Sequence, residues 1–249
     1  MHVLKRNSKI PIILFFILFL VIACEKDTEY LTGQLIGYVS LYDSESKKMP
    51  DNSGVEVIVE GSIPQNKTLT DENGQYVIDN LKSGTYNVIF NKEGYCQHKI
   101  IGYQFVGGNR PASAGSTAIF GVSDFQINDP DITVIFNLPH RVAFTVTAKT
   151  PGISGLCRYF VSNGSDVSYM KYALTGVTAI NNAHGERNIY FQFHVDPSNF
   201  PSGSELYLIM YPATERHQYY TDINSNRKIY TSINVNKPSE VANITIPQK

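Results

Sequence analysis

Between Thr70 and Tyr95 the chain reads TDENGQYVIDNLKSGTYNVIFNKEGY, and this run constrains the fold more than any other. Asp71-Glu72-Asn73-Gly74 supplies the polar residues and the glycine that a tight reversal needs. Tyr76 and Ile78 then fall on one side of an extended chain, with Gln75, Val77 and Asp79 on the other. Leu81 closes that strand and Lys82-Ser83-Gly84 turns the chain again. Tyr86, Val88 and Phe90 make a second period-two face, and Lys92-Glu93-Gly94-Tyr95 ends the unit. Two neighbouring strands thus share one apolar side. The run dictates an architecture and carries no chemistry.

The rest of the chain repeats this grammar. Leu35–Leu41 reads as a first strand, and Tyr42–Gly54 as a loop containing Met49-Pro50 and Asn52-Ser53-Gly54. In Val55–Glu60 the three valines alternate with Glu56 and Glu60, with Ile58 as the exception. A strand is expected around Lys99–Tyr103, a loop over Gly107–Ser116 and a strand again over Ala118–Ile127. Asn128-Asp129-Pro130 reads as a boundary. Beyond it, alternation recurs in Ile132–Leu138, Val142–Ala148, Ile189–Val195 and Val241–Ile246, with shorter candidates at Arg158–Val161 and Tyr169–Leu174. Leu206–Tyr211 is apolar on both sides, as a central strand would be. The 16 tyrosines and 13 phenylalanines favour strands, and 42% hydrophobic residues support packed cores. At 249 residues there is room for one large or two ordinary domains. The expected fold is all-β: two tandem β-sandwiches, over 31–126 and 127–249.

Five short motifs in order carry a family resemblance: Gly37-Tyr38-Val39, Val55–Gly61, Thr70–Tyr76, Leu81–Tyr86 and Lys92–Tyr95. Together they resemble a carboxypeptidase regulatory-like domain, a small β-sandwich related to transthyretin-like modules. The resemblance covers Leu31 to about Gln126. It implies a non-catalytic accessory module, of the kind found on surface proteins and enzymes, and hence an architecture and not a reaction. The second half shows only a generic immunoglobulin-like or fibronectin-like pattern.

The N-terminus reads as an export signal over residues 1–23. His2, Lys5, Arg6 and Lys9 precede an unbroken apolar run, Ile10–Ile22. That run is shorter than the about 20 residues of a membrane-spanning helix and suits a signal-peptide core. Val21-Ile22-Ala23-Cys24 resembles a bacterial lipobox, which implies cleavage before Cys24 and a lipid on Cys24. The following Glu25-Lys26-Asp27, with Glu29, resembles the lysine-plus-acidic signal that sends lipoproteins of the Bacteroidota to the outer cell face. The expectation is an outer-membrane lipoprotein facing outward on a short tether, residues 24–30.

Searching for chemistry along the chain excludes more than it finds. With 21 Lys and Arg against 22 Asp and Glu, the net charge of −1 argues against an electrostatic nucleic-acid binder. His98, His140, His184, His194 and His217 show no metal-ligand spacing. Ser154 has glycine one residue after it, not two, so Gly152–Gly155 is a turn and not a nucleophile elbow. Asp71, Glu72 and Asn73 lack the remaining oxygen ligands of a calcium loop. Asp124, Asp129 and Asp131, near the boundary, could hold calcium between sandwiches. Cys96 and Cys157 read as two buried thiols, with a disulfide as the alternative. No cofactor is expected.

Aromatics are the remaining lead. Tyr207, Tyr211, Tyr219, Tyr220 and Tyr230 cluster in the last third, among Arg216, His217, Asn224, Asn226 and Arg227. Flat rings beside planar polar side chains can form a sugar platform; outward strand tyrosines beside a polar hairpin loop would look the same. The candidate ligand-binding set is Tyr211, Arg216, Tyr219, Tyr220, Arg227 and Tyr230. On the sequence alone, the leading reading is a non-catalytic surface binding or adhesion accessory protein with a protein partner. A glycan-binding lipoprotein of a polysaccharide-uptake system comes second. An enzyme with an unrecognised site in the second half comes third.

Overall fold

Strands make up every regular element that the computed structural model describes, over residues 31–138, 141–150, 155–183 and 186–248. The fold is all-β. The signal segment, Cys24 and Glu25-Lys26-Asp27 lie outside the described residues.

The first half contains β1 (Thr32–Tyr42), β2 (Glu56–Glu60), β3 (Asn66–Leu69), β4 (Gln75–Lys82), β5 (Gly84–Asn91), β6 (His98–Phe105) and β7 (Ala112–Phe120). They form a three-stranded sheet, β4-β1-β7, and a four-stranded sheet, β3-β2-β5-β6. One core fills the space between them. Leu35, Val39 and Leu41 enter it from β1, Val57 and Val59 from β2, Tyr76 and Ile78 from β4, and Val88 and Phe90 from β5. The alternation legible in the sequence therefore sets which side chains are buried.

Two glycines are needed for this packing. Gly74 closes the turn before β4 with φ of 81°, and a Cβ there would sit 1.9 Å from the Val39 carbonyl oxygen. Gly37 faces Tyr76 across the β1–β4 pair, and a Cβ on it would come within 2.4 Å of the tyrosine oxygen. The ring occupies the space that a side chain at Gly37 would need.

The loop expected over Gly107–Ser116 is shorter in the structure, because β7 begins at Ala112. Its small residues have weak strand preference, but β7 pairs in parallel with β1 over almost its whole length. That long-range pairing outweighs local propensity.

The second half contains β8 (Asn128–Leu138), β9 (Arg141–Lys149), β10 (Leu156–Ser162), β11 (Leu174–Ala183), β12 (Glu186–Val195), β13 (Glu205–Ala213), β14 (Tyr219–Thr221), β15 (Lys228–Tyr230) and β16 (Ala242–Thr245). Seven of them follow the order β16-β13-β10-β11-β12-β9-β8, and β14-β15 forms a separate hairpin. β11 pairs with β10 up to Ala179 and with β12 from Ile180 onward, so one strand serves both layers. The sequence predicts a short strand at Tyr169–Leu174; in the structure the chain bends there and the strand begins at Leu174.

Val142, Phe144 and Val146 from β9 meet Leu206, Leu208 and Met210 from β13 in one core. Phe144 and Phe193 stack within it at 5.2 Å between ring centres. A second core lies on the other face of β10 and β13, built on Phe160, Ile209, Tyr211 and Ala213. Leu206–Tyr211 is apolar on both sides for that reason. The segment 163–173 and the long excursion 214–240 between β13 and β16 cover this face, through Val167, Tyr169, Tyr172, Tyr230 and Ile233.

Asn128-Asp129-Pro130 forms the start of β8. The chain leaves the first core at Ile119 and joins the next at Phe125. From Thr32 onward the chain forms one compact unit.

Candidate functional site

The excursion 214–240 is the element that joins the two halves. Thr214, 4% exposed, donates its hydroxyl to the Gly121 carbonyl at 2.8 Å. Its own carbonyl accepts from the Ser46 hydroxyl at 3.0 Å. Farther along, Gln218 donates to the Ala118 carbonyl and Asn234 to the Ser123 carbonyl, the latter at 3.1 Å. His98 Nδ1 of β6 lies 3.4 Å from the Thr231 hydroxyl. Apart from exposed Ser46, these residues are buried or half-buried, and their hydrogen bonds offset the cost of removing them from water. From the first half, Cys96 donates its N–H to Phe120, and Val122 donates its N–H to Gly94, which pins the crossing segment against the Lys92–Gln97 turn.

An open groove of about 280 Å³ runs along this seam. Tyr95, Gln97 and Val122 line it from the first half and the crossing segment; Tyr169, Tyr220, Tyr230, Asn234 and Asn236 line it from the second. Arg158 holds the groove's tyrosine wall in place. Its side chain is buried, and its guanidinium packs 3.6 Å from the centre of the Tyr230 ring. The same guanidinium donates to the Arg216 carbonyl, while its Nε has no hydrogen-bond partner among the described residues. Burial pulls the Arg158 pKa down, and neighbouring Tyr230 and Tyr172 push it the other way. The Tyr172 hydroxyl donates to the Lys228 carbonyl at 2.7 Å, which ties the segment 163–173 to β15.

The structure separates the six residues nominated from the sequence. Tyr220 and Tyr230 line the groove. Tyr211 does not: it is 4% exposed and packs edge-on against Tyr169 and Phe160 as part of the second core. Its position on β13 points it into the face that the excursion covers, so it supports the wall and is closed to ligand. Tyr219 is exposed beside the groove, with Lys228 Nζ 4.4 Å from its ring centre. Arg227 donates to the Tyr172 carbonyl, and Arg216 contributes its carbonyl to Arg158. The two arginines therefore help to shape the wall from behind.

Tyr95, Gln97, Tyr169 and Asn236 are groove residues that the sequence did not single out. They lie up to 141 positions apart in the chain, and of them only Tyr95 falls in a motif, the Lys92–Tyr95 turn. In the sequence that motif marks the end of the strand unit and carries no ligand signal.

Titration chemistry at the groove is muted. Burial pushes the Cys96 thiol up to about 12, far from a reactive thiolate. Tyr220 is raised first by burial, then by Asp222, Tyr169 and Glu60. Cys96 and Cys157 are separate free thiols, both buried. The three aspartates considered for calcium are not brought together. Asp124 pairs with Lys237 at 2.6 Å and Asp129 with Lys149 at 3.0 Å, while Asp131 accepts from Thr133. Among the described residues, no three His, Cys, Asp or Glu side chains are grouped to hold a metal. No helix among them is long and apolar enough to cross a membrane.

No family model matches the chain, and no curated protein matches it in sequence. Solved structures do align with it. An interface mutant of the type II cohesin–X-dockerin complex from Acetivibrio cellulolyticus shares 18% identity over 36% of this chain and 58% of that one, with a TM-score of 0.30. A candidate carbohydrate-binding protein from Bacteroides uniformis shares 12% identity over 87% of this chain and 100% of that one, also with a TM-score of 0.30. A DUF3823 family protein from Parabacteroides merdae shares 8% identity over 74% of this chain and 92% of that one, with a TM-score of 0.26. This chain thus spans 58% of the length of the first of these structures. Likeness at this level assigns no residue here to a known site.

Proposed function

We propose that the chain is a non-catalytic binding protein of the cell envelope, tethered through lipid on Cys24 and displayed at the outer face of the outer membrane. The groove at the seam is the observation that carries the binding reading, and the Val21–Cys24 motif with Glu25-Lys26-Asp27 supports the tether and its display. Its lining offers rings, amides and hydroxyls, with no carboxylate pair and no activated nucleophile. Its one thiol, Cys96, is held protonated by burial. Such a lining recognises a ligand without transforming it. The first half serves as a carboxypeptidase regulatory-like module, a reading that the five motifs and the pairing of a three-stranded with a four-stranded sheet support. It contributes one wall of the groove and sets the height of the other half above the membrane. Seven residues, 24–30, connect the lipid to that module. At about 3.3–3.6 Å per extended residue they reach roughly 25 Å, so the ligand is met close to the membrane.

The test compares the full chain with Cys24→Ser in cells. The full chain is expected in the outer-membrane fraction and open to protease added outside, and Cys24→Ser in the soluble fraction. A Cys24→Ser chain that stays in the membrane overturns the lipid tether. A full chain that external protease cannot reach overturns surface display. Turnover of any polymer in a hydrolase screen overturns the non-catalytic reading.

A further inference from the structure

We propose that the groove at the seam binds an uncharged sugar chain, entering with about one or two rings, given a volume near the small end of the roughly 300–1,000 Å³ range of ligand pockets. This names the ligand of the site above and rests on reading the chain as a binding protein. On the sequence alone a protein partner ranks first; the groove's lining reverses that order.

Three observations carry the inference. The first is charge. No residue lining the groove is Asp, Glu, Lys, Arg or His. Of the cations beside the lining residues, Lys228 lies over the Tyr219 ring and Lys237 pairs with Asp124. Arg158 and Arg227 each donate to a backbone carbonyl, and Lys92 donates to the Ser53 carbonyl. A uronate or sulfate group placed here would lose water and gain no counter-charge, which is unfavourable. A neutral ligand has no such loss.

The second is the pairing of rings with amides. Tyr95, Tyr169, Tyr220 and Tyr230 are all half-buried, so each keeps part of its ring toward solvent while the rest is fixed by packing. A pyranose has an apolar C–H face and a rim of hydroxyls. Rings meet the face, and planar amides meet the rim with directed hydrogen bonds. Gln97 on one wall and Asn236 on the other are exposed at the groove and can do this. Asn234 cannot, because its amide already bonds Ser123 and accepts from the Asn236 N–H.

The third is the backbone. An extended peptide is captured by adding a strand to free N–H and C=O groups. Along this groove several of those N–H groups are already used. The N–H groups of Cys96, Val122, Thr231 and Asn234 donate to Phe120, Gly94, Gln218 and Pro212. A strand finds few of the N–H groups it would pair with, and side chains make the directed contacts, which suits a hydroxyl-rich ligand better than a polypeptide.

The test is affinity electrophoresis of the full chain in detergent against neutral polymers (a glucan, a xylan and a galactomannan) and acidic ones (polygalacturonate and alginate). At least one neutral polymer is expected to retard the protein, and the acidic ones are not. Tyr220→Ala and Gln97→Ala, on opposite walls, are each expected to weaken that binding ten-fold or more. Asn236→Ala, an exposed position with little bearing on folding, is expected to do the same. Tyr190→Ala, on β12 away from the groove, is expected to bind as wild type. Retardation by acidic polymers alone overturns the neutral-sugar inference and leaves the binding reading standing. Neutral binding unchanged in all three groove variants overturns the site. If no polymer binds, a photo-crosslinker at Val235 decides: a protein captured in intact cells overturns the sugar inference only, and an empty crosslink overturns the binding reading as well.

Discussion

Thr214→Val tests whether the seam is a structural joint. The substitution keeps the shape of the side chain and removes one hydroxyl. In the wild type that hydroxyl donates to Gly121 at 2.8 Å in a site where Thr214 is 4% exposed. Removing it leaves a carbonyl oxygen short of a partner and out of reach of bulk water. The expected cost is about 1–3 kcal/mol. For a compact unit of this size each kcal/mol lowers Tm by about 2–4 °C, so a loss of 2 kcal/mol gives roughly 4–8 °C. Asp124→Asn provides the comparison. It breaks the Lys237 ion pair, which also crosses the seam but has side chains 40% and 68% exposed. An exposed pair contributes about 0–1 kcal/mol, so this variant melts within about 4 °C of wild type. Thermal unfolding followed by circular dichroism reads both. A Thr214→Val protein that melts within about 1 °C of wild type, or an Asp124→Asn protein that is the less stable of the two, would refute the argument that buried hydrogen bonds hold the seam.

Three further outcomes are expected. Burial of His98 against Phe90 and Thr231 lowers its pKa, so the folded protein holds it neutral while the unfolded chain takes up a proton near the ordinary value of 6.5. Stability from this group is complete above that value and declines as the pH falls from it through the lowered folded pKa. Urea unfolding of wild type and His98→Gln across this range should therefore converge toward low pH, and a constant offset between them would rule His98 out. In a Cys24→Ser chain, Cys96 and Cys157 should react with a thiol reagent only after unfolding, because burial raises both pKa values; one fast thiol at neutral pH would contradict their placement. Gly74→Ala should cost about 1–3 kcal/mol through its left-handed backbone alone, with more from the clash at Val39, and a wild-type Tm would refute the left-handed turn.

Much of the fold is legible in the sequence because strand side chains alternate with a period of two. Val55, Val57 and Val59 are buried as the pattern requires, and so are Ile189, Phe191, Phe193 and Val195. Turn chemistry is equally local, as Asp71–Gly74 shows. β7 was less legible, since Ala112–Ser116 has small residues of weak strand preference and forms a strand only because β1 lies alongside. β11 was hidden for a related reason. Its first residues belong to one layer and its last to another, so no single alternation runs through it.

The groove was legible only in part. The sequence shows that the last third is rich in tyrosine and amide residues, because composition and turn signals need no partner. It cannot show that Tyr211 points into a covered face while Tyr220 and Tyr230 open onto a seam. That depends on which side of β13 the excursion 214–240 folds over, and on Thr214 and Asn234 finding carbonyls at Gly121 and Ser123, 93 and 111 residues away. Local alternation fixed the strands; the long-range hydrogen bonds of one polar segment decided where the halves meet, and so where Tyr95 and Gln97 join Tyr220 and Asn236 in a single site.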